Sequence, residues 1–356
     1  MTPFTYDAIG GRVVFGVGAR EQVAAQVDAL GGQRVVLIAD TAADEFAEHL
    51  GTRLVARFDD VAQHVPAAKA DALVELLDEH AADAIVTVGG GSATGFGKAA
   101  RLVRQVAFVA VPTTYAGSEM TTIWGRTDGD HKATGKHPYV KPDTVVYDPE
   151  LTLSLPPRIA GPSGMNALAH CVEALYGPGA NPVIALHALE GIRALHTGLP
   201  AVCGADDSLD ARAHVLYGAY LAGIALASGG TALHHKTCHV LGGMFNLNHG
   251  DMNAVVLGHA VAYNAPAIPA VIEQLATALG RPAGDVPGAL YDLAVAIGAP
   301  TSLSAIGMPA DGLAEAARRV TAEAAANVRP PDLPAIEAFL SAAYEGTRPC
   351  AHVRHE

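Results

Sequence analysis

The chain has 356 residues, half of them apolar and 17% charged, with a formal net charge of −13. That length predicts about two domains, and the apolar content excludes a disordered chain. The acidic balance argues against nucleic acid as a partner, and it requires any anionic substrate to be met by local cations rather than by the global field.

Four cysteines, Cys171, Cys203, Cys238 and Cys350, show no CxxC spacing and read as reduced thiols of a cytoplasmic protein. The N-terminus lacks the basic-then-apolar pattern of a signal peptide. No apolar run reaches the roughly 20 residues that span a bilayer, so no membrane partner is expected.

In chain order, Arg12–Gly16, Arg34–Ala39, Leu54–Phe58, Ala84–Val88 and Val106–Val111 are short strand candidates; the first ends at Gly16, the second stops at Asp40, the fourth ends at the triple glycine Gly89-Gly90-Gly91 and the fifth at Pro112. Unbroken apolar strands separated by helical stretches predict a parallel sheet covered on both faces, a doubly wound, Rossmann-like α/β domain. Beyond Val145–Tyr147 and the Pro156-Pro157 pair the chain becomes Ala-rich with helical periodicity. Residues 183–196, 211–227, 271–279, 288–297, 312–326 and 334–344 read as helices separated by glycine and proline. The expected division is an α/β dinucleotide-binding domain over 1–156 and an all-helical catalytic domain over 157–356.

The segment VGGGSATGFGKAA, Val88–Ala100, runs a strand through three glycines and Ser92 into a helix. Glycines admit a pyrophosphate close to the backbone, and a helix N-terminus offers unpaired N–H groups to it. A tight β–α turn without a ligand has the same pattern. Asp40, at the end of an earlier strand, suits the ribose hydroxyls of NADH and would repel the extra phosphate of NADPH. A helix N-cap is the equal alternative. Thr113, Thr114 and Ser118 in VPTTYAGSEMTT fall where strand ends deliver side chains to a ligand crevice, or serve as loop caps.

The stretch LHHKTCHVLGGMFNLNH places His235 and His239 four apart, one helical turn, with His249 ten residues later. The Gly242-Gly243 pair is expected to break the helix and return His249 towards it. In GMNALAHCVEALY, Asn166 and His170 are likewise one turn apart. Three imidazoles and one amide at these spacings point either to a metal centre or to a cluster of proton and hydrogen-bond donors. An aspartate at 166 would have decided for a metal; an amide lacks its charge.

Together these motifs resemble the iron-containing alcohol dehydrogenase superfamily and, within it, the maleylacetate reductases. The resemblance runs from FGVG at Phe15 into the helical half and implies the architecture shared with dehydroquinate synthase. The superfamily's metal-binding Asp-His-His-His set falls on Asn166, His170, His235 and His249, and His239 corresponds to a histidine beside the nicotinamide. Lys132 matches a lysine near the cofactor. The superfamily's GGGSxxDxxK loop has Gly95 at its Asp position and keeps Lys98. Asn at 166 is usual among maleylacetate reductases, and PTSLSAIGM at 300–308 fits that group.

The resemblance implies NADH- or NADPH-dependent reduction of maleylacetate, and of chlorinated maleylacetates, to 3-oxoadipate in the breakdown of aromatic compounds. It also implies a homodimer. On that reading His170, His235, His239 and His249 surround a dianionic substrate, with His239 as proton donor. Asn166, Tyr115, Lys132 and Lys236 are expected to contact that substrate. Lys136, His137 and Arg329 are further cations, with surface placement the plainer reading for the first two. Asp40, Gly89–Gly91, Ser92, Lys98, Thr113, Thr114, Ser118 and Lys132 are expected at the cofactor. No divalent metal is expected, and if one is retained its ligands are His170, His235 and His249. The alternative is a metal-dependent alcohol or polyol dehydrogenase of the same superfamily.

Overall fold

Val35–Ala39 and Ala84–Gly89 are wholly buried because both faces of the sheet that holds them are covered. Val35, Leu37 and Ala39 enter one core with Phe46 and Val86, while Val36 and Ile38 enter the opposite core with Leu73 and Phe108. This is the two-residue alternation of a strand between two helical layers.

A computed structural model describes residues 3–8, 10–129 and 131–350, with only the main chain of Lys132. The chain divides into one unit over Ala8–Leu155 and a second that begins at Pro156 and also takes in the described residues 3–7. The second unit's claim on residues 3–7 is invisible in the hydropathy pattern.

The first unit contains β1 (Arg12–Phe15), α1 (Val23–Ala29), β2 (Val35–Ala39), α2 (Ala43–Leu50), β3 (Leu54–Phe58), α3 (Ala67–Glu79), β4 (Ala84–Gly89), α4 (Gly91–Arg101) and β5 (Ala107–Pro112). It continues with β6 (Ile123–Asp128), β7 (His131–Lys136) and β8 (Thr144–Tyr147). Six strands form a parallel sheet in the order β1-β8-β5-β4-β2-β3. A Cβ at Gly97 would stand 2.5 Å from Phe108 Cζ, so glycine there lets α4 lie close on the sheet.

β6 and β7 pair as an antiparallel hairpin that the sequence reading lacked. No residue of β6 is fully buried, so its sequence carries no apolar alternation to read.

The second unit is helical: α5 (Pro157–Ala174), α6 (Pro182–Cys203), α7 (Leu209–Gly229), α8 (Leu233–Phe245), α9 (His249–Asn264), α10 (Pro269–Leu279), α11 (Val286–Ala296), α12 (Leu313–Glu323) and α13 (Leu333–Glu345). The expected break at Gly242-Gly243 does not occur. α8 runs through both glycines to Phe245 and stops at Asn246, which takes the left-handed conformation (φ 52°, ψ 38°). Asn248 then caps α9 by accepting from the Asp251 N–H, which makes His249 the first residue of that helix. No single helix among the described residues is long and apolar enough to cross a membrane.

Candidate active site

The first unit gathers its ligand-type residues at the carboxyl ends of neighbouring strands β2, β4 and β5. Gly89 ends β4 at φ +148°, and any side chain there would meet the Asp40 carboxyl at 2.2 Å. Asp40 accepts from the Gly90 N–H; burial by its surroundings raises its pKa, although the residue as a whole remains exposed. Its helix-capping alternative fails, because α2 is capped at Ala42 without a side-chain bond. Gly90 caps α4, so the first-turn N–H groups of Gly91 and Ser92 lack helical acceptors. Thr114 lies against Gly90, while the Thr113 N–H donates to the Gly89 carbonyl. A strand end, a glycine turn, a helix N-terminus and an acidic residue just past the end of the adjacent strand form an arrangement suited to a dinucleotide.

Three expected contacts change. Lys98 is 1% exposed, and its ammonium donates to the Ser118 carbonyl, Thr121 Oγ1 and the Ile123 carbonyl at 2.6–2.9 Å. All three donors are engaged, so Lys98 ties α4 to the loop after β5 instead of binding a phosphate. Burial lowers its pKa to about 7 against the pull of buried Glu119. This also fixes Ser118 by its carbonyl. Tyr115 has no exposed surface and packs in the interior, so it is not presented to a substrate. Arg329 is held by Tyr263, donating to its carbonyl at 2.6 Å and lying 4.3 Å from its ring centre. Lys132 belongs to β7, with a side chain outside the described residues; Lys136 is exposed. At Gly95, a Cβ would stand 2.7 Å from Val65 Cγ2, so the superfamily's aspartate would require Val65 to shift.

In the second unit, α5 carries Asn166, His170 and Glu173 on one face, at spacings of four and three. α8 carries His235 and His239 one turn apart, and α9 opens with His249. The four imidazoles form a chain. His170 and His235 stack with centres 4.2 Å apart, His235 and His239 are 6.5 Å apart, and His239 and His249 are 6.4 Å apart and near parallel. His170 and His235 are 6% and 2% exposed, whereas His239 and His249 are exposed. Burial holds the first two pKa values well below the ordinary histidine range, so both rings are neutral.

Glu173 organises the buried layer. Its carboxyl accepts from the backbone N–H groups of Ala232 (2.9 Å) and His234 (2.7 Å), serving the start of α8 where Ala232 supplies no side-chain cap. It also contacts His235 Nδ1 at 2.7 Å. Burial pushes the Glu173 pKa up, and these donors oppose that push.

The tautomers follow from the partners. His234 Nε2 faces the Asn253 carbonyl at 3.1 Å, which only accepts, so that nitrogen carries the proton. With a pKa lowered to about 3 by burial, His234 is neutral and its Nδ1 is a lone pair. That lone pair lies 3.2 Å from His235 Nδ1, which is therefore the N–H and donates to both His234 and Glu173. His235 Nε2 is left as an acceptor. The expectation that His235 donates to a substrate oxygen is thereby corrected.

His235 Nε2 and Asn166 Oδ1 are both buried and have no hydrogen-bond partner among the described residues. Two unpartnered acceptors, one oriented by a carboxylate behind its ring, suit a proton donor or a cation. The resemblance would place a divalent ion on Asn166, His170, His235 and His249, a set of neutral nitrogen and oxygen donors that brings no negative charge. The expected absence of a metal thus rests on charge alone. Glu173, His234 and His235 also bring ligand-type atoms within 4.8 Å of one another. Those atoms already bond each other at 2.7 and 3.2 Å, shorter than the about 3.4 Å between ligands on a tetrahedral zinc ion. This group orients His235.

Sequence reasoning missed Glu173, His234 and Asn253. Glu173 was detectable, being the acid three residues past His170 on the same helical face. Beside His239 a cavity of about 430 Å³ opens, with Lys236 on its wall.

The model of the iron-containing alcohol dehydrogenase family matches residues 10–149, and that of its C-terminal domain matches residues 161–344. The chain belongs to the iron-containing alcohol dehydrogenase family. It is 44% identical to a maleylacetate reductase of Sphingobium indicum, over 97% of this chain and 99% of that one. It is 43% identical to a maleylacetate reductase of Burkholderia cepacia, over 98% and 100%. The solved maleylacetate reductase of Rhizobium sp. strain MTP-10005 superposes with a TM-score of 0.94 at 40% identity, over 98% of this chain and all of that one.

Proposed function

We propose that the chain reduces the conjugated carbon–carbon double bond of maleylacetate, giving 3-oxoadipate with hydride from a nicotinamide cofactor. The observation that carries this reading is the near-full-length identity of 40–45% to relatives named maleylacetate reductase. The alcohol dehydrogenase alternative is weakened by Asn166, the neutral residue at a position where that chemistry uses a carboxylate.

The first unit's role is to hold the cofactor. The glycine turn and the start of α4 receive the pyrophosphate, and Asp40 accepts from the ribose hydroxyls. A carboxylate at that position repels a ribose phosphate, which favours NADH over NADPH.

The second unit's role is to receive the charge that hydride delivers. Hydride adds to the double bond at the carbon far from the ketone, and the electron pair moves to the ketone oxygen as an enolate. We assign exposed His239 and His249 to donate to that oxygen and then to protonate the neighbouring carbon. Neutral His170 and His235 form the floor behind them, with His235 held in orientation by Glu173 and His170 stacked on it.

A divalent ion held by the Asn166 and histidine set would polarise the ketone as a Lewis acid. We propose that it is dispensable, because conjugation already carries the charge to an oxygen within reach of imidazole donors. We also assign a homodimer and a cytoplasmic location on the family resemblance.

The test is NADH consumption with freshly generated maleylacetate, before and after exhaustive chelation with metal analysis of the sample. Equal rates are expected. Loss of activity restored by zinc or iron would overturn the metal-independent reading. Oxidation of ethanol or propanediol with no turnover of maleylacetate would replace the function itself.

A further inference from the structure

The cavity beside His239 is built from two helices of one unit. α8 turns Lys236, His239, Val240 and Met244 towards it, and α12 turns Arg319 and Glu323. The spacings 236, 240, 244 and 319, 323 each follow one helical face. Sequence reading had placed only Lys236 and His239 near substrate.

Its charges are unevenly satisfied. The Lys236 ammonium has no hydrogen bond or ion pair among the described residues. Arg319 engages Glu315 through Nε at 2.7 Å, and Arg318 engages the same carboxyl. The two Nη groups of Arg319 have no partner among the described residues. Glu323 is the single acid on the wall. Two cations against one acid leave a local charge of about +1 in a chain of net charge −13. That balance suits one carboxylate rather than a phosphate dianion. A guanidinium with free Nη groups suits a carboxylate in geometry as well as charge. Val240 and Met244 provide apolar wall for a short carbon chain.

Resting on the maleylacetate reading, we propose that this cavity receives the substrate's saturated-arm carboxylate, held by Arg319 and Lys236. The geometry selects that end of the molecule. If His239 donates to the ketone oxygen, the nearest carboxylate is the one a single saturated carbon away from the ketone. The cavity begins at His239, so this carboxylate enters it. Arg319 and Lys236 then decide between dicarboxylate enones and their monocarboxylate or neutral counterparts.

The experiment uses the full chain with NADH and two substrates: maleylacetate, and 4-oxopent-2-enoate, the same conjugated enone without the saturated-arm carboxylate. Arg319→Ala and Lys236→Ala are expected to raise KM for maleylacetate by about tenfold, with a smaller fall in kcat. The same variants change kcat/KM for the monocarboxylate by no more than about twofold, because the lost partner is absent from that substrate. Arg319→Lys restores part of the loss. Arg193→Ala, whose exposed side chain pairs with Glu190 on α6 and does not line the cavity, serves as control and matches the parent on both substrates.

Equal losses on the two substrates, or an unchanged KM for maleylacetate in Arg319→Ala, overturn the subsite alone. A parent chain inactive on maleylacetate overturns the functional reading and the subsite with it.

Discussion

His235 Nδ1 donates to Glu173 Oε2 over 2.7 Å, with the two side chains 2% and 0% exposed. The same carboxyl receives the N–H groups of Ala232 and His234, so one buried acid serves both the start of α8 and the orientation of a site imidazole. Glu173→Gln replaces an acceptor of several hydrogen bonds by a group with one acceptor and one donor. The variant is expected to lose about 2 kcal/mol or more of stability. It also loses turnover by a larger factor than its remaining folded fraction explains. Thermal unfolding measured beside kcat at a temperature where both proteins are folded checks this. Full turnover in the folded variant would leave Glu173 a purely structural role.

His239 and His249 are exposed while His170 and His235 are buried, and the proposed mechanism assigns proton transfer to the exposed pair. His239→Ala or His249→Ala should lower kcat by about tenfold or more, within the range for a removed general acid. NADH affinity, followed by nucleotide fluorescence, should stay near that of the parent. A variant with parental kcat would remove its residue from proton transfer.

How much of this was legible depended on what periodicity can encode. The parallel strands of the first unit were readable because two-sided burial makes Val35–Ala39 and Ala84–Gly89 continuously apolar. The β6–β7 hairpin was not, since none of the β6 side chains is fully buried. The histidine spacing predicted a cluster, and the rings do form a chain. The turn that brings His249 back was misplaced, however. Gly242 and Gly243 stay helical, and Asn246 supplies the left-handed stop. Lys98 shows a different limit. A lysine after a glycine loop reads as a phosphate ligand, and only the three acceptors around its ammonium show it to be a strut. Tautomers lie further out of reach, because the proton on His235 depends on a carbonyl contributed by Asn253, eighteen residues later in the chain.

The Asp40 carboxyl lies beside Gly89 and accepts from the Gly90 N–H, just past the end of β2, the strand next to β4. Asp40→Ser removes a negative charge where a ribose phosphate would come. The ratio of kcat/KM for NADPH to that for NADH should rise on the order of tenfold, about 1.4 kcal/mol. Steady-state rates with each nucleotide at fixed maleylacetate provide the measurement. An unchanged ratio would mean that Asp40 does not read the ribose.

His259 offers a pH prediction away from the active site. It is 4% exposed on α9, its Nε2 has no partner among the described residues, and burial lowers its pKa to about 4. Between the ordinary histidine value near 6.5 and that depressed value, the unfolded chain holds a proton that the folded chain does not. Stability from this residue is therefore complete above about pH 6.5 and falls as pH drops, by about 1.4 kcal/mol per unit, levelling once the folded ring also protonates. His234, lowered to about 3, acts in the same direction. His259→Leu removes one such proton and the unsatisfied nitrogen, in a position near the Phe339 ring. Relative to the parent, the variant should gain about 2 kcal/mol between pH 7 and pH 5. Urea unfolding at the two pH values gives the difference directly. Parallel pH dependence in the two proteins would show that His259 protonates as readily folded as unfolded.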